Sequence, residues 1–245
     1  MKTMLGRKTA LVLLLLLVLE PLALMAGHGA DSCEAQVFVV EDLLKGPAVL
    51  SPDHKLAVRL SAVQPKSDRD DIETGIATVE SHKQVLGRIR LHNLSAGIFV
   101  KWAPDSKAFY IMWSDGGMIG GYHVRVFKIS EDRIAELQTL KSAFSDFSEK
   151  HRCVSRGTNQ FALKWENDSS DLLVAFQIYP TSDCGRQMGV TRGYLVAADS
   201  GEILKTYKQK QIKEQMASCP SKIWPTAFWN SDDLRQTKSG VAQRK

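Results

Sequence analysis

A strand-turn-strand unit that returns along the chain restricts this sequence more than any other feature. Residues 48–60 read Ala-Val-Leu-Ser-Pro-Asp-His-Lys-Leu-Ala-Val-Arg-Leu, and residues 99–111 read Phe-Val-Lys-Trp-Ala-Pro-Asp-Ser-Lys-Ala-Phe-Tyr-Ile. Pro52-Asp53 and Pro104-Asp105 lie 52 residues apart. Proline presets φ for the second position of a tight turn, and an Asp side chain bonds back to nearby backbone N–H groups. Each copy is therefore an apolar strand, a Pro-Asp turn and a second apolar strand. A third copy lacks the proline: Leu163-Lys164-Trp165-Glu166-Asn167-Asp168, leading into Leu172 to Ile178.

The second strands of two copies carry unbroken apolar runs, Ala108 to Trp113 and Leu172 to Phe176. A strand with one wet face alternates, so a short continuous run predicts burial on both faces. Further strands are expected at Val85–Leu91, Tyr122–Ile129, Tyr194–Ala198 and Ile203–Tyr207, the last two joined by the hairpin residues Asp199-Ser200-Gly201-Glu202. A period near 50 residues with about four strands per unit predicts an all-β chain of three blade-like antiparallel meanders.

The unit resembles the WD-type β-propeller repeat, in the TolB-like branch whose blades carry a Trp/Ser-x-Pro-Asp-Gly-Lys turn. The residues that carry the resemblance are Ser51-Pro52-Asp53-His54-Lys55 and Trp102-Ala103-Pro104-Asp105-Ser106-Lys107. His54 and Ser106 stand where the family has glycine. About three units are present, whereas closed propellers use four or more blades. This leaves an open or incomplete blade array, a half that pairs with another chain (oligomerisation, if the blades do not close), or a β-sandwich with propeller-like hairpins. The resemblance implies binding surfaces at blade edges and loops.

Between the second and third units, Leu137, Leu140, Phe144 and Phe147 recur at helical spacing. They predict one inserted amphipathic helix reaching to about His151, its apolar stripe packed on the core. Lys208 to Met216 reads as a second short helix, and Asp232 to Lys245 as a disordered polar tail.

At the other end, Lys2, Arg7 and Lys8 precede an apolar run from Ala10 to Leu19, followed by Glu20-Pro21 and by Ala26-Gly27-His28-Gly29-Ala30. That is the three-part plan of a secretory signal peptide. Residues 1–30 are therefore expected to be removed near Ala26 or Ala30, leaving a domain over 31–231 with no transmembrane segment and a secreted or periplasmic destination. The formal charge of +5 then loses Lys2, Arg7 and Lys8 and the one acid Glu20, which weakens a nucleic-acid reading. In an oxidising compartment Cys33, Cys153, Cys184 and Cys219 are disulfide candidates. Cys153–Cys184 would close the β-like segment 160–178, and Cys33–Cys219 would tie the ends of the domain. Their spacing does not suit zinc.

No nucleophile elbow, His-Glu-x-x-His or phosphate-binding loop is present. Asp68-Arg69-Asp70-Asp71 fits no calcium template, and no metal or cofactor is expected. The best ligand-binding candidate is the glycine-rich connection after Ala108–Trp113, with Ser114, Asp115, Gly116, Gly117, Tyr122 and His123. It precedes a strand and not a helix, so it offers no helix N-terminus to a phosphate. The leading expectation is an exported, non-enzymatic binding or interaction module whose partner is a protein or small ligand. A secreted hydrolase-type enzyme with a site assembled in space from His123 and Asp115 is the alternative, as is an envelope-associated structural protein.

Overall fold

The computed structural model describes residues 35–63, 74–82, 84–94, 97–115, 121–131, 133–154, 157–180 and 182–216. The expected leader over 1–30, Cys33, Asp68 to Asp71, Gly116, Gly117, Cys219 and the expected tail over 232–245 lie outside them. More than half of the described residues are strand, arranged as three antiparallel meanders, none closed on itself. The first sheet runs β2 (Ala48–Leu50), β3 (Leu56–Ala62), β4 (Thr74–Ser81) and β5 (Val85–His92). The second runs β6 (Gly97–Trp102), β7 (Ala108–Ser114), β8 (Tyr122–Ser130) and β9 (Arg133–Leu137), with β1 (Gln36–Val39) added beside β6. The third runs β10 (Thr158–Glu166), β11 (Asp171–Ile178), β12 (Thr191–Ala197) and β13 (Ile203–Lys208). Two α-helices complete the described structure, α1 (Lys141–Lys150) and α2 (Gln209–Gln215).

The unbroken apolar run of β7 is explained by its position between two cores. Successive strand side chains point to opposite faces. Phe109, Ile111 and Trp113 join a core shared with Val58, Leu60, Val79 and Leu91 of the first sheet. Ala108, Tyr110 and Met112 join a second core with Phe161, Leu173 and Phe176 of the third. All seven residues of β7 and all eight of β11 are buried, as the runs predict.

The first two turns are built alike, and hydrogen bonds link all three in series. His54 (φ 59°) and Ser106 (φ 63°) adopt the left-handed conformation that glycine favours. Local bonds hold each turn: Lys55 N–H donates to Asp53 Oδ1 (3.2 Å) and Lys107 N–H to Asp105 Oδ1 (2.9 Å). The turns then link across sheets. The Asp53 N–H donates to Ser106 Oγ (3.1 Å), and the Asp105 N–H donates to Ser169 Oγ (3.0 Å). The third turn thus supplies the equivalent serine despite lacking proline, with Asp168 (φ 51°) and Ser169 (φ 82°) left-handed. Between the first two sheets, Trp102 Nε1 donates to the Val49 carbonyl at 3.1 Å.

One boundary differs from the expectation. Leu137 is the last residue of β9, and α1 begins four residues later at Lys141. Leu137 fits the helical spacing, but strand pairing with Val126 claims it. The rest of the stripe packs inward: Phe144 and Phe147 lie 5.5 and 5.7 Å from the Phe176 ring. On the opposite face of the third sheet, α2 sets Ile212 over Gly193, where a Cβ would stand 2.7 Å from the Ile212 Cγ1. The Cys153–Cys184 disulfide joins the chain entering β10 to the loop leaving β11. Because β10 and β11 form a hairpin, both segments emerge at one end, and the Cα atoms stand 5.8 Å apart.

Candidate functional site

The β7–β8 connection closes on Asp115. Register pairs Ser114 with Tyr122 at the end of the ladder. Beyond that pair the Asp115 N–H donates to the Gly121 carbonyl at 3.0 Å, and the Gly121 N–H returns a bond to Asp115 Oδ1. The other carboxylate oxygen lies 3.2 Å from His123 Nε2. One acid therefore ties the loop shut and orients an imidazole. With Nε2–H donating to the carboxylate, a neutral His123 keeps Nδ1 as an acceptor. The imidazole also rests on the Trp113 ring, 5.3 Å between centroids, and Trp113 Nε1 donates to the His92 carbonyl.

Of the residues expected to form a site, Asp115 and His123 meet directly and are partly accessible. Ser114 is only 1% exposed and turns inward, where its side chain bonds with that of Tyr122. Burial raises the Tyr122 phenol, and the Ser114 bond partly offsets this. Gly116 and Gly117 lie outside the described residues.

The structure adds a residue from far along the chain. A Cβ at Gly121 would collide with the Tyr179 hydroxyl and crowd Asp115, and one at Gly157 would collide with the Tyr179 ring. Tyr179 is therefore laid between two glycines from the second and third sheets. Burial, and then the nearby Asp115 charge, raise its phenol above the ordinary range. Beneath it a chain of buried polar groups crosses between the sheets. Tyr122 N–H donates to Asn159 Oδ1 (3.1 Å), Asn159 Nδ2 to Gln177 Oε1 (3.1 Å), and Gln177 Nε2 to Thr191 Oγ1 (3.2 Å). Thr191 closes it on the Gly189 carbonyl. A buried network with its members satisfied holds a single geometry.

No family model, curated protein or solved structure matches this chain. What the site does is therefore read from its own groups. An imidazole, a carboxylate and a phenol border one loop end and offer both hydrogen-bond donors and acceptors. The adjacent Ser114 hydroxyl is buried and bonded to Tyr122. Among the described residues no three His, Cys, Asp or Glu side chains gather closely enough to hold a metal ion. Among them, too, no helix is long and apolar enough to cross a membrane.

One signal for the missed residues was present. Gln177 interrupts the apolar run Leu172 to Ile178, and an amide inside a doubly buried strand needs partners. Tyr179 gave no local signal. Its place depends on two glycines, 58 and 22 residues earlier.

Proposed function

We propose that this chain is an exported, non-enzymatic, β-propeller-like binding module that takes a protein or small ligand at the Asp115–His123–Tyr179 end of its second and third sheets. The carrying observation is the partly accessible Asp115–His123 pair, presented by a loop that its own carboxylate closes and backed by a satisfied polar network. Export is supported by the leader-like start of the sequence and by the Cys153–Cys184 disulfide, a bond typical of oxidising compartments. The linked Pro-Asp turns support the propeller-like reading. Affinity capture from the exporting compartment tests the reading, comparing the natural chain with His123→Ala and with a deletion of 115–121. A partner or ligand retained by the natural chain and lost from both variants is expected. Equal retention by all three would place binding elsewhere.

The Asp115–His123 contact favours a second reading, a secreted hydrolase in which His123 acts as base toward a bound water. Turnover of ester, amide or phosphoester substrates that disappears in His123→Ala would select it over the binding module.

A further inference from the structure

Among its described residues, the first sheet carries a column of basic side chains that its carboxylates do not answer. Ile89 and Leu91 of β5 point into the core with the second sheet, so the alternating Arg88, Arg90 and His92 point away from it, and all three are exposed. In register they stand beside Thr78, Ile76 and Thr74 of β4, none of which carries charge. The sheet's acids are already engaged: Glu80 with Arg59 at 2.7 Å, and Asp53 with Lys55 at 3.6 Å. Beside the column Glu136 is taken by Arg125, and elsewhere Lys128 meets Asp199 and Lys164 meets Glu166. Among the described residues no carboxylate pairs with Arg88 or Arg90.

The backbone edge of β5 is also occupied. The Arg90 and His92 carbonyls accept from Arg125 Nη1 and Trp113 Nε1 of the second sheet, both at 3.0 Å. A partner strand therefore cannot extend this sheet by pairing at those positions; it has to read the side chains. The column borders a groove of about 450 Å³ between β5 and the second sheet, with Phe127 and Ile134 in its wall. A second copy of the chain fits poorly, since face-to-face pairing would oppose the same cations.

We propose that this face docks an extended acidic segment of a partner protein, laid along β5. Such a segment repeats its side chains every second residue, about 6.7 Å apart, which is the spacing of Arg88, Arg90 and His92 themselves. Alternate carboxylates can then each meet one basic side chain, and the intervening residues lie over the groove. This surface is separate from the Asp115–His123 end and stands or falls independently of it.

The test uses the full chain and a labelled peptide of alternating Glu and Thr, followed by fluorescence anisotropy. Binding at low ionic strength that weakens as salt rises is expected. The double variant Arg88→Glu/Arg90→Glu should lower affinity about tenfold or more, while Lys205→Glu on the third sheet leaves it unchanged. Both positions are exposed, and an unaltered thermal melt checks that the variant is folded. Failure of the natural chain to bind the peptide at low salt overturns the proposal, as does undiminished binding by the folded double variant. Two further results overturn it by naming another occupant. One is binding to phosphatidylserine vesicles that the peptide cannot compete away. The other is a gain of about tenfold in peptide affinity when Asp68, Asp70 and Asp71 become Asn, which would give the face to the chain's own acidic stretch.

Discussion

The first and third sheets share a topology, yet their central strands solve burial differently. Along β4, Gly75, Ala77 and Val79 are buried while Thr74, Ile76, Thr78 and Glu80 stay partly accessible. Along β11 every residue is buried. The first sheet has one apolar face, covered by the second sheet, and a polar face that needs no cover. The third has two apolar faces: one meets the second sheet through Phe161, with α2 over Gly193 and Tyr207 beside it, and the other is covered by α1 over Phe176 and Tyr194. A stack of sheets can thus end without closing into a ring, either by making the last face polar or by covering it with helices.

The sharpest test of that contrast is a matched pair of truncations. Phe176→Ala should cost about 3–5 kcal/mol in denaturant unfolding, because it empties the space beneath Phe144 and Phe147. Ile76→Ala on the polar face should cost about 1 kcal/mol. Equal costs would break the comparison. Next in size is the Cys153–Cys184 disulfide at the third sheet. Replacing Cys153 and Cys184 by Ala should remove about 3–4 kcal/mol, with thermal melts in and out of reductant as the check.

Gly193→Ala should cost about 1–3 kcal/mol, because the new methyl meets Ile212. Amide exchange should quicken in α2 before it does in the strands of the first sheet. The links between turns are smaller still. Ser106→Ala and Ser169→Ala should each cost about 1 kcal/mol, since each removes the acceptor for one backbone N–H.

Acid should loosen the third sheet's helical cover. Burial alone would raise the Asp146 carboxyl, but its bonds to Lys150 and to Tyr194, with nearby positive charge, bring it below the ordinary range. Its contribution is present above the unfolded carboxylate pKa of about 3.9 and is lost as pH falls through the lower folded value. His151 is lowered as well, by burial and then by Arg192 and Lys150, so stability begins to fall as pH drops below about 6.5. His151→Phe should remove that upper limb of the pH–stability curve, and Asp146→Asn the lower one.

Much of this architecture was legible in the chain because it rests on short-range pattern. The Pro-Asp turns, the double-sided burial of Ala108 to Trp113 and the pairing of Cys153 with Cys184 depend on neighbours or on a single hairpin. The left-handed conformations of His54 and Ser106 follow from the turn type, even without glycine. Leu137 was misplaced because helical spacing and strand pairing made competing claims on it, and a cross-strand contact decided between them. At the site, Asp115 and His123 are eight residues apart and meet across one loop end; Tyr179 and Asn159 arrive from another sheet.

The sequence by itself determined the alternation of apolar and polar positions, the turns and the three-unit period, since these follow from backbone sterics and side-chain hydrophobicity. Tertiary structure alone decided which faces meet. It laid Tyr179 between Gly121 and Gly157, carried Ser169 to Asp105 and, among the described residues, set no carboxylate against Arg88 or Arg90. These are contacts between residues far apart in the chain, and a local pattern carries no information about which distant surface will be brought against it.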